Sequence, residues 1–189
     1  MSHIFTDQEA AMAYTLSAER IFGIDCEFLN ANPHVIPIFV SQLFQSLEIS
    51  IKYVGIASGL FTEREVRSQA MRSGHGINEI ATLAVKKLGG ETFEPILMAL
   101  TYYNVGKNSK EIIRQMISGK AFKKTRECYA SRCLGYGQVA DGEFALIEDI
   151  ASWIDAVKET ASNLPKTVDV LIQWKASPSK SKHFAIWET

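Results

Sequence analysis

Four side chains in the second half of the chain are spaced to meet a phosphate and a base. Lys123, Arg126, Tyr129 and Arg132 recur every three residues, so on a helix they share one side. Two guanidinium forks can grip phosphate oxygens in pairs, and a phenol ring offers a platform for an unstacked base. The bland alternative is a set of snorkelling cations whose aliphatic stems cover the surface of a bundle. The four belong to a basic run. Lys107, Lys110, Arg114, Lys120, Lys123, Lys124, Arg126 and Arg132 stand against only Glu111 and Glu127. The next segment reverses sign, with Asp141, Glu143, Glu148, Asp149, Asp155 and Glu159 against Lys158. The net charge of −1 hides this asymmetry. It permits an anion-binding face, or else pairing between neighbouring helices.

Two further constellations could do chemistry. His75 sits between Gly74 and Gly76 at a helix start, with Arg72 three residues before it. A neutral imidazole can act as a general base near pH 7, and an arginine beside it can hold a phosphate. No nucleophile is evident nearby, and a histidine bonded to a neighbouring helix fits the same pattern. Glu48 and Lys52 are four apart, the spacing of an ion pair on one helix turn. His34, Ser41, Gln45, Glu48 and Lys52 fall within roughly 60° of one another around that helix. On an otherwise apolar helix this polar stripe is either a structural line inside a bundle or at a dimer seam, or a ligand contact.

Other chemistries lack their residues. The four histidines form no His-x3-His or His-Glu-x-x-His pair, so no metal is expected. Cys26, Cys128 and Cys133 are odd in number and contain no Cys-x-x-Cys, which fits buried thiols in a reducing compartment. Gly135 and Gly137 lie in a loop without the Gly-Lys-Ser/Thr ending of a P-loop. No nucleophile elbow, dinucleotide fingerprint or helical pair of metal-binding carboxylates is present, and no cofactor is implied.

The elements that must position these residues read as helices. Thr6 and Glu9 have the capping-box spacing, opening a helix over 7–29. A second helix, over 33–58, is apolar around most of its circumference and should be central. Thr62 and Glu65, preceded by Phe61, form a second capping box that opens a short helix to about residue 71. Helices are also predicted over 77–88, ended by Gly89, and over 95–103, begun by Pro95. Segments 108–118, 120–134 and 141–163 follow, the last with apolar residues on one face. After Pro165 the texture changes. Residues 168–174 and 183–187 favour strands, so 165–189 reads as a hairpin appendage or as a packed helical tail. The expected fold is all-α, a bundle of about six or seven helices over 1–164.

Residues 37–88 carry a resemblance. A buried helix bears Glu48 and Lys52. A variable insert follows, and then Gly74, His75, Gly76, Ile77 and Ile80 open the next helix. This order resembles the HEPN superfamily of small bacterial helical domains. The stretch from Tyr129 to Arg132 and the long helix after Asp141 resemble the family's arginine-bearing segment and last core helix. The resemblance spans about residues 7–163. It implies a homodimer from a defence, stress or toxin–antitoxin system, with RNA or a nucleotide as ligand. Family ribonucleases carry an arginine, then four to six intervening residues, then a histidine. Here seven residues separate Arg67 from His75 and two separate Arg72 from it, and only His183 follows Arg132.

Composition agrees with a globular domain, 47% apolar and 22% charged. No apolar run approaches the ~20 residues of a membrane span, and no signal-peptide pattern opens the chain, so a cytoplasmic protein is expected. Three functional readings follow. The first is a HEPN-like non-catalytic module for nucleic acid or nucleotide. The second is a HEPN-type ribonuclease with a displaced active site. The third is a structural protein that binds another protein.

Overall fold

A computed structural model describes residues 7–24, 36–73, 77–89, 91–118 and 150–176. All eight elements among them are helices, with no strand. They are α1 (Gln8–Ile24), α2 (Ile36–Ala57), α3 (Glu63–Ser73), α4 (Ile77–Leu88), α5 (Glu94–Thr101), α6 (Ser109–Ser118), α7 (Ile150–Ser162) and α8 (Leu164–Ala176). The protein is an all-α helical bundle.

Helix α2 lies at its centre and packs against α1, α4, α7 and α8. Val40, Leu43, Phe44, Leu47, Ile51 and Val54 bury its apolar surface. The contact with α1 is made by small residues. Ala11, Thr15 and Ser46 meet there, all fully buried and small enough to let the two helices approach closely. Hydroxyls satisfy themselves in this seam. Ser46 Oγ donates to the Ala11 carbonyl at 2.8 Å, and Thr15 Oγ1 lies 2.7 Å from Ser46 Oγ.

Local signals fix several helix ends. The Ala10 amide donates to Asp7 Oδ1 at 2.6 Å, so Asp7 caps α1; Thr6 lies outside the described residues. The capping box at α3 forms as expected. The Glu65 amide donates to Thr62 Oγ1 at 3.2 Å, and the Thr62 amide donates to Glu65 Oε2 at 2.8 Å. Between α2 and α3 the chain doubles back on the Gly55 carbonyl, which accepts from the Leu60 and Phe61 amides. A Cβ at Gly55 would stand 2.1 Å from the Phe61 ring, so the close packing of this turn requires glycine. Pro95 sits in the first turn of α5, where its missing N–H costs nothing.

The strand-like stretch 168–174 is helical. Val170 and Leu171 are buried, while Asp169 and Gln173 are exposed, a helical division of faces. Helix α8 packs on α2 and α5. Lys175 Nζ donates to the Ser58 and Gly59 carbonyls at 3.3 and 2.8 Å, so the end of α8 caps the end of α2. Of the two readings of the tail, the packed helix is the one formed over 164–176. The second half of the expected hairpin, 183–187, lies outside the described residues. No helix among the described residues is long and apolar enough to cross a membrane.

Candidate nucleic-acid interface

Many of the sequence-predicted residues lie outside the described residues: His34, His75, Lys123, Arg126, Tyr129 and Arg132. The helix expected over 120–134 and the first part of that over 141–163 lie outside them too, as do all three cysteines and all four histidines. Arg72 falls in the last turn of α3. Gln45, Glu48 and Lys52 are in α2, and here the stripe is resolved.

The stripe turns inward. Glu48 is 3% exposed and Lys52 7%, and their side chains form an ion pair. Ser41 is also buried and Gln45 half-buried. Charges taken out of water need good partners, and Lys52 donates directly to Glu48 Oε1. Such a pair holds α2 in its environment but presents almost no surface to a ligand.

The basic run begins at the loop between α5 and α6. Lys107 is exposed there. The next two cations are engaged. Arg114 Nε donates to Glu94 Oε1 at 3.1 Å and its Nη1 to Glu111 Oε2 at 2.7 Å. Burial opposes the Arg114 charge, but the Glu111 and Glu94 carboxylates outweigh it and hold the guanidinium above its ordinary pKa. Lys110 Nζ stands 3.5 Å from Glu94 Oε2. These charges pair with α5 and with their own helix. The acidic helix α7 instead sends Lys158 to Glu19 on α1, with both oxygens at 2.8 Å.

The α5–α6 loop displays residues that sequence reasoning missed. Tyr102 is 49% exposed, Tyr103 38% and Val105 88%. The two phenol rings stand edge to face, with centroids 4.9 Å apart at 73°. Lys166, from the first turn of α8, places its ammonium 5.2 Å from the centre of the Tyr103 ring, a cation–π contact. The sequence signal was two adjacent tyrosines followed closely by glycine and lysine. It was obscured because the helical pattern was carried through Tyr103, whereas α5 ends at Thr101.

Three residues of α7, Ala156, Glu159 and Thr160, anchor this loop. Asn104 Nδ2 donates to the Ala156 carbonyl at 3.2 Å and to Thr160 Oγ1 at 3.0 Å. Glu159 Oε2 accepts from Ser109 Oγ at 3.0 Å and from the Gly106 amide at 3.4 Å. Its negative charge thereby sits at the amino end of α6, where the helix dipole favours it. A Cβ at Gly106 would come within 2.5 Å of Ser109 Oγ, so a side chain there would displace the hydroxyl that bonds Glu159. The loop is therefore held from both sides of its exposed tip.

Among the described residues no group of three His, Cys, Asp or Glu side chains is placed to hold a metal ion. Compared with known proteins, the chain matches no protein-family model, no curated protein and no solved structure.

Proposed function

We propose that this protein is a HEPN-like, non-catalytic module that binds nucleic acid or a nucleotide, acting as a cytoplasmic homodimer in a bacterial defence or stress system. The observation that carries the proposal is the run of eight cations against two acids from Lys107 to Arg132. Its first member stands exposed on the anchored α5–α6 loop. Because Lys110 and Arg114 are engaged by Glu94 and Glu111, phosphate contacts fall to Lys107 and to Lys123, Arg126 and Arg132. Tyr129, three residues from each arginine, supplies an aromatic face beside them. The non-catalytic reading is supported by spacing, since no arginine precedes His75 at the distance the family's ribonucleases use.

The test is fluorescence anisotropy of labelled RNA titrated with the protein at low and moderate salt. We expect affinity to fall with salt by a log–log slope of about −0.7 for each single-strand phosphate neutralised. Replacing Arg126 and Arg132 by alanine should weaken binding and flatten that slope. No binding at low salt, or unchanged affinity in the double variant, would contradict the assignment. A structural role toward a protein partner is favoured by one feature, the 88% exposed aliphatic Val105. It would gain weight if the chain bound no nucleic acid.

A further inference from the structure

We infer that the α5–α6 loop is a second binding element, a preformed platform for one unpaired base, and that the ligand is a single-stranded segment of nucleic acid. This rests on the nucleic-acid reading above and gives it residues outside Lys123 to Arg132.

The loop leaves Tyr102, Tyr103 and Val105 in water within four residues. Bundle packing gains nothing from that exposure, yet the loop is fixed by Asn104 and Glu159 to α7. A loop already ordered loses little further freedom when a ligand arrives. The geometry of the rings then narrows the ligand. They stand at 73° to each other, so an incoming base can lie parallel to only one of them. The Lys166 ammonium lies over Tyr103. Tyr102, half exposed, is left as the stacking surface, with a positive charge beside the neighbouring ring to meet the backbone phosphate. Lys107 offers a second charge toward the other end of the loop. A base inside a duplex has both faces covered by its neighbours, so a ring platform of this kind accepts only an unpaired one. A duplex would engage the lysines through phosphate alone.

A labelled single strand and the duplex of the same sequence would be titrated against the native chain, Tyr102→Ala and Tyr102→Phe. We expect the strand to bind about tenfold tighter than the duplex. Tyr102→Ala should lower strand affinity by roughly tenfold, the effect of losing one stacked base, and Tyr102→Phe should retain it. The salt slope should stay the same in both variants, because Tyr102 neutralises no phosphate. The residue is half exposed, so Tyr102→Phe should keep the native melting temperature and Tyr102→Ala should lower it only slightly. Equal binding of strand and duplex, with no loss in Tyr102→Ala, would overturn the platform and leave the basic run as the nucleic-acid element. Failure of the native chain to bind either probe would overturn the platform together with the reading it rests on, and would assign the loop to a protein contact.

Discussion

At Lys52 an ammonium group is almost completely buried on a helix whose neighbouring positions are Ile51 and Val54. Its pairing with Glu48 makes that burial tolerable, but the two residues are not interchangeable with an exposed pair on a helix surface. An exposed pair at this spacing contributes a few tenths of a kcal/mol, whereas removing one member of a buried pair typically costs about 3–5 kcal/mol. Lys52→Met, which leaves the Glu48 carboxylate without this cation, should therefore lower the melting temperature sharply. Replacing both by apolar residues of similar size should recover much of the loss. Equal melting temperatures for the native chain and Lys52→Met would show that the pair is not buried in solution. The pairing itself was legible from the spacing of four. Its burial was only half legible, since the same stripe of His34, Ser41, Gln45, Glu48 and Lys52 would suit a ligand-facing line. Which way a polar stripe turns depends on what packs over it, and one helix's periodicity does not contain that.

Among the elements, α3 shows how far a local signal reaches. The Thr62–Glu65 box forms as its sequence dictates, and the Glu65 carboxylate gains a further partner from α4 in Lys87. The Lys87 ammonium, aided by the Thr62 amide and hydroxyl, brings the Glu65 pKa from 4.5 down to about 2. A carboxyl depressed in the folded state stabilises fully above its unfolded pKa, and that contribution disappears as pH falls through the folded value. The stability difference between the native chain and Glu65→Gln should thus be constant above about pH 4.5 and shrink as pH falls toward about 2. Urea unfolding at several pH values measures it. A difference that does not change with pH would contradict the pairing. Caps, glycines and prolines of this kind made α4 and α6 readable almost to the residue, and α3 and α5 readable except at their ends, which fall two residues from where the pattern put them. The stretch 168–174 was less so, because Val168, Val170, Leu171 and Trp174 suit either a strand or one face of a helix. Packing of Val170 and Leu171 on the bundle decides the matter, and that is a tertiary effect beyond local propensity.

On the scale of the whole molecule, α2 organises a core that leaves one anchored, aromatic loop in water. That loop was not legible in the sequence, because Tyr102 and Tyr103 continue the apolar pattern of α5 and nothing local shows that they emerge from it. The anchors on α7 are some fifty residues away in sequence, with Asn104 reaching Thr160 and Ser109 reaching Glu159. Only the assembled bundle brings them together. The basic run, by contrast, was plain from composition and begins on this same loop at Lys107. The most direct measurement is photochemical crosslinking of a single-stranded RNA carrying iodouracil, with the attached peptides mapped by mass spectrometry. We expect crosslinks within residues 102–132, at the tyrosines of the loop and in the basic run that follows. An absence of crosslinks, or crosslinks confined to other parts of the chain, would contradict the proposal that this surface binds nucleic acid.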